Sequence, residues 1–235
     1  MKLHVNCVSK EMMDVLVRLM EMPDLAPFRL VGGTALALQF GHRTSVDIDL
    51  FAGGHAETEN LPAVLAHQFG RQFEVLSKNR NGFMGRVADV KVDVVDWKVP
   101  FTQEPLIADG IRMATAPDIF ASKCDALLTR KAEKDFVDIA MIASRFSLAE
   151  LFATLRKRYF YLTAGAVAAL LLKKEAIERD LTIRYFDPYG FDYFAEQLRG
   201  QLEAYEAEIK EQKLSRENDH MQKIQSLIEQ KRKKT

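Results

Sequence analysis

"LVGGTALALQFGHRTSVDIDLF", Leu30 to Phe51, joins a Gly-Gly-Thr turn, a short apolar run and two aspartates one residue apart. "FRLVGG" (28–33) reads as a strand entering a glycine turn, and "TALALQF" as a helix stopped by Gly41. "SVDIDLF" alternates strictly, which predicts a strand with Val46, Ile48 and Leu50 on one face and Asp47 and Asp49 on the other. Carboxylates two residues apart on one face have Cβ atoms only ~7 Å apart, and each raises the other's pKa. Solvated aspartates on an exposed face are one reading of such a pair. A platform for Mg²⁺, which takes oxygen ligands and keeps positions open for phosphate and water, is the other.

The residues before the aspartates favour the platform. Gly32 and Gly33 let the backbone approach a ligand, the helix start offers free N–H groups to an anion, and Thr34 adds a hydroxyl. A tight strand–helix turn is the plainer account of the same residues. Further on, "DVKVDVVDW" (89–97) places Lys91, Asp93 and Val95 on one strand face. A carboxylate among valines is costly unless paired or metal-bound. Asp93 is therefore the candidate third metal ligand or general base, with an exposed edge-strand aspartate as the alternative.

Around this stretch the chain divides in two. Residues 1–112 mix helices and strands: a helix capped by Ser9 and stopped by Pro23, one opened by Asn60 and Pro62, and strands at "QFEVLSK", "GFMGRVA" and "DVKVDVV". Residues 113–235 read as helices only, including "PDIFASKCDALLTR", "EKDFVDIAMIASRF", a helix behind the Ser147/Glu150 capping box, one over 164–180 capped by Thr163, and a charged terminal helix ending "KRKKT". The expected fold is α+β: a mixed sheet flanked by helices, then a helical bundle.

Composition narrows the function classes. The 235 residues carry 33 basic and 33 acidic side chains, so net charge names no polyanionic partner. No apolar run approaches the ~20 residues of a membrane helix, so no membrane partner is expected. The two cysteines, Cys7 and Cys124, have no ligand spacing and suit a reducing cytoplasm.

A glycine pair, a helix, Asp-x-Asp on a strand and a later strand aspartate resemble the signature of the polymerase-β-type nucleotidyltransferase superfamily. "GGTALALQFGHRTSVDIDLF" looks more closely like the AbiEii/AbiGii-type toxin family, which resembles this chain in having Thr34 where serine is usual elsewhere. Lys123, Arg130 and "KDFVDI" (134–139) resemble that family's helix-pair motif. The resemblance spans about residues 28–146. It implies a two-Mg²⁺ site (Mn²⁺ being an alternative ion) on Asp47, Asp49 and Asp93, a nucleoside triphosphate substrate held by Gly32, Gly33, Thr34, Arg43, Lys123 and Lys134, and Asp135 placing the acceptor. It also implies an RNA acceptor such as the tRNA 3′ end, and an antitoxin partner.

Other readings stand beside these. Lys134 and Asp138, at i,i+4, form an ordinary surface ion pair, and Arg43 makes a loop salt bridge. His42 has no ligand-spaced partner. Arg156, Lys157 and Arg158 suit phosphates and Tyr159, Phe160 and Tyr161 suit base stacking, or all serve helix packing and solvation. The functional alternatives are transfer to a protein or small-molecule hydroxyl, and a non-catalytic interaction module of the same fold.

Overall fold

The computed structural model describes residues 1–232, with side chains through 225. The basic end of the "KRKKT" segment therefore lies outside the described residues.

The first helix, α1 (Lys10–Glu21), starts where Ser9 Oγ accepts from the Met12 N–H and ends just before Pro23. It buries Met12, Val15, Leu16, Leu19 and Met20 on one side, each worth ~1.5–3 kcal/mol when fully removed from water. A two-residue strand, β1 (Arg29–Leu30), leads through the glycines into α2 (Gly32–Phe40). The strand β2 (Asp47–Ala52) follows, then α3 (Leu61–Phe69) and β3 (Phe73–Asn79), β4 (Gly82–Val87) and β5 (Val90–Asp96). A hairpin of β6 (Leu106–Ala108) and β7 (Ile111–Met113) closes the mixed part.

The sheet order is β3-β4-β5-β2-β1-β7-β6. β2 runs parallel to β5 and antiparallel to β1, and β1 runs parallel to β7. The alternation expected for β2 and β5 holds inside both strands. Ile48, Leu50, Val92 and Val94 are buried, while Asp47, Asp49, Lys91 and Asp93 share the other face. Val46 departs from it: the strand begins at Asp47, and Val46 is 73% exposed. The hairpin β6–β7 has no counterpart in the sequence reading, since three-residue strands carry almost no alternation.

The helical part contains α4 (Ala116–Arg130), α5 (Glu133–Ala143), α6 (Leu148–Arg158), α7 (Ala164–Leu171) and α8 (Phe191–Arg232). Ser147 and Thr163 cap α6 and α7 as their sequence suggests. The helix expected over 164–180 stops at Leu171 instead. Beyond it, residues 178–186 form a strap broken by a turn, in which the Ile183 N–H donates to Asp180 O. The strap makes isolated bridges Ala132↔Glu178 and Arg43↔Tyr185. The Thr44 N–H donates to Arg184 O and the Phe186 N–H to His42 O. The backbone groups of the strap are thus satisfied by other segments and not by a helical ladder. Buried Glu133 fastens the strap with bonds from Arg179, the Asp180 N–H and the Tyr185 hydroxyl. One apolar core runs through both parts of the chain, from Leu16 and Leu36 to Phe120, Phe136 and Leu198.

Candidate active site

Asp49 and Asp93 are direct register partners on the parallel strands β2 and β5, and Asp47 lies opposite Lys91. Asp93 Oδ2 accepts from Lys91 Nζ at 3.0 Å, while its Oδ1 is buried without a hydrogen-bond partner. Burial, and next the charge of Asp93, push the Asp49 carboxyl above its ordinary range. Adjacent carboxylates with an unsatisfied oxygen fit a hard divalent cation, which would remove both penalties. Among the described residues no three His, Cys, Asp or Glu side chains gather closely enough to enclose a metal ion. The structure thus brings Asp49 and Asp93 together, with Asp47 one pleat along the same face.

The glycines are required by their neighbours. Gly32 has φ +66°, and a Cβ there would lie 2.7 Å from Asp49 Oδ2. A Cβ on Gly33 would overlap Arg43 Nη2. That guanidinium is fixed, so Gly33→Ala is expected to destabilise the fold by about 1–3 kcal/mol, read from a denaturant titration. An unchanged midpoint would show that Arg43 can move aside. The Thr34 hydroxyl is buried and engages Asp47 O and Ser45 Oγ. It ties the start of α2 to the start of β2, where the sequence suggested a phosphate donor.

Behind the carboxylates lies a buried charge cluster. Asp138 Oδ1 accepts from His42 Nε2 and Arg43 Nε, both at 2.8 Å. Its Oδ2 faces Arg43 Nη2 at 2.7 Å and Lys123 Nζ at 2.8 Å. Four partners fill the four acceptor positions of the carboxylate. Burial opposes its charge, but Arg43, then Lys123 and the His42 hydrogen bond, hold it well below the usual carboxylate range. Burial pushes His42 down, so the neutral ring donates its Nε2–H, and Nδ1 is buried without a partner. Asp138 is therefore no surface partner of Lys134. That lysine sits half-buried beside the carboxylate-bearing strands.

Asp135 is equally committed. It accepts from Lys123 Nζ at 2.8 Å and from both Nε and Nη2 of Arg130. Both of its carboxylate oxygens are thus occupied by the two cations. Burial opposes the Lys123 charge, yet Asp138 and Asp135 outweigh it and hold the ammonium above its ordinary pKa. Lys123 spends two of its three protons on these aspartates.

Two cavities meet at this cluster. The polar one, about 300 Å³, is walled by Arg43, Asp47, Lys91, Lys134 and Thr182 of the strap. The other, about 410 Å³, is walled by Phe51, Trp97, Phe101 and Tyr159. Asp49, Asp93, Lys123 and Arg130 line both. Sequence reasoning missed the strap, the role of Arg130 and the aromatic wall. The row 156–161 splits: Arg158 and Tyr159 are buried, whereas Arg156, Lys157, Phe160 and Tyr161 are exposed.

A mixed sheet carrying paired carboxylates beside a glycine turn, with buried cations facing them, defines the chain as a nucleotidyltransferase. Residues 14–207 match the family described as "Nucleotidyl transferase AbiEii toxin, Type IV TA system", and the chain belongs to that family. An uncharacterized protein of Aquifex aeolicus (strain VF5) is 26% identical over 162 residues, covering 65% of this chain and 76% of that protein. The fold is similar to JHP933 from Helicobacter pylori, with TM-score 0.55, 17% identity, and 88% of this chain and 97% of that chain covered. It is also similar to MenT4, nucleotidyltransferase toxin Rv2826c from Mycobacterium tuberculosis H37Rv, with TM-score 0.56, 13% identity and 82% of each chain covered. Among the described residues no helix is long and apolar enough to cross a membrane.

Proposed function

We propose that this nucleotidyltransferase moves a nucleoside monophosphate from a nucleoside triphosphate to the hydroxyl of an RNA 3′ end, such as that of tRNA. The observation that carries the reading is the pairing of Asp49 with Asp93 at the junction of two cavities, directly before Lys123 and Arg130. The acceptor oxygen attacks the α-phosphorus, the bond to the bridging oxygen breaks, and pyrophosphate leaves. Asp93 takes the hydroxyl proton, its Oδ1 being free of other partners. Lys123 and Arg130 face the charge that develops on the leaving group, held in place by Asp135 and Asp138. Amides of the first α2 turn at Gly32 and Gly33, with Lys91 and Lys134, suit the phosphate tail.

Mg²⁺, or Mn²⁺ in its place, would be held by Asp49 and Asp93, with the Asp47 carboxylate adding its charge from one pleat along the same face. When bound, it neutralises phosphate charge and favours the ionised form of the attacking oxygen. The exposed group Arg156, Lys157, Phe160 and Tyr161 suits an RNA backbone and its bases. A toxin of this kind is paired with an antitoxin and acts in the cytoplasm, where the buried free thiols Cys7 and Cys124 stay reduced.

The test incubates the protein with each α-labelled nucleoside triphosphate, Mg²⁺ and total RNA or whole lysate. Label in tRNA-sized RNA is expected. Label confined to protein or small molecules would replace the acceptor, and no label in any fraction would end the reading.

A further inference from the structure

The two cavities at the carboxylates differ in kind, and one of them offers a flat open ring. Trp97, the chain's single tryptophan, directly follows β5, so it shares the face of Asp93 and Val95. Its indole stacks on Phe51 of β2, with centroids 6.0 Å apart and planes at 29°. Phe51 in turn is two residues beyond Asp49, ~7 Å along the strand. Phe101 shares the wall, but its ring is already engaged by Arg29 at 4.0 Å and Arg158 at 5.0 Å. Among the described residues no cation and no second ring lies over the other face of Trp97, which is 39% exposed.

The backbone on both sides of the platform is anchored. The backbone N–H of Trp97 donates to Ala52 O at 3.1 Å. Just before it, Asp96 accepts from the Gly54 N–H at 2.7 Å and from Lys98 Nζ at 2.6 Å. After it, buried Asp118 accepts from both the amide and the hydroxyl of Thr102. A ligand stacking here meets a ring whose backbone is already fixed and whose one face is already backed by Phe51.

Resting on the transfer reading above, we propose that Trp97 is the stacking platform for the base of the incoming nucleoside triphosphate. The phosphates then lie in the polar cavity, the base in the aromatic one, and the α-phosphorus between them at Asp49 and Asp93. Stacking is tolerant of base identity, because every base has a π-face.

The indole is also its own reporter, since no other tryptophan contributes to the emission. The wild-type protein is titrated with an α,β-methylene nucleoside triphosphate, with inorganic tripolyphosphate and with a short RNA ending in a free 3′ hydroxyl. Binding is followed in parallel by calorimetry. The expected result is saturable quenching by the nucleotide, none by tripolyphosphate, and displacement of the nucleotide by tripolyphosphate. Trp97→Ala should raise KM for the nucleotide at least about tenfold, with kcat nearly unchanged, and Trp97→Phe should restore most of the loss. Calorimetric binding of the nucleotide without quenching would overturn the platform and leave the transfer reading standing. Quenching by the RNA alone would assign the ring to the acceptor and overturn it too. No nucleotide binding and no transfer by wild-type protein would remove both. Should Trp97→Ala fail to fold, the wild-type titration still decides.

Discussion

Asp49→Asn is expected to cut nucleotide transfer on the order of 10³-fold or more while leaving the protein folded and at least as heat-stable as the wild type. The two halves of this expectation have one cause. Asp49 sits beside Asp93 in register, and burial with that neighbouring charge raises its pKa. A group whose folded pKa is raised above its unfolded value loses stability when it ionises, so at neutral pH the Asp49 charge costs stability. Asparagine keeps the shape and removes the repulsion. It also removes the charge that a phosphate-bound cation needs. Activity and stability thus oppose one another at this position. Transfer assays with parallel melting curves measure both, and retained transfer by the variant would remove Asp49 from the chemistry.

Asp138→Ala is expected to act in the opposite sense, through stability first. Removing this carboxylate leaves Arg43 and Lys123 buried without their shared counter-ion. Breaking one side of a buried pair costs about 3–5 kcal/mol, which for a chain of this size lowers Tm by roughly 6–20 °C. The pH dependence has a definite sign. Asp138 is held well below its ordinary pKa, so its contribution is present above the unfolded value near ~4 and is lost as pH falls through the folded one. Lys123 is raised, so its contribution is present below ~10.4 and is lost as pH rises through the folded value. Asp138→Asn should therefore show a smaller drop in Tm between pH 5 and pH 3 than the wild type. Equal acid limbs would show that other carboxylates govern acid unfolding.

What the sequence disclosed and what it hid follow from the range of the contacts. The β2 aspartates were legible because alternation is local, and Asp93 because its valine neighbours mark a buried strand. Gly32 and Gly33 were legible as a turn, though not as residues pressed against Asp49 and Arg43. Asp138 was visible as a helix residue, yet its partners His42 and Arg43 lie about a hundred positions upstream, where no periodicity points. The strap was hidden for the same reason: its bridges run to Arg43 and Ala132, far from it in sequence, and only its first three residues fell within the helix expected over 164–180. Trp97 carried no signal, because its meaning depends on stacking with Phe51 across two strands.

The strap has a bearing on how such an enzyme comes into being. A chain emerging from the ribosome exposes Asp47, Asp49 and Asp93 first, then Lys123, and only much later Thr182 and Ile183, which wall the polar cavity, and Arg184 and Tyr185, which dock on Thr44 and Arg43. Closing so long a loop comes late and gains nothing until both ends are present. The three aspartates are therefore synthesised well before the residues that complete the pocket around them, and a chain truncated short of the strap carries Asp47, Asp49 and Asp93 without a finished site.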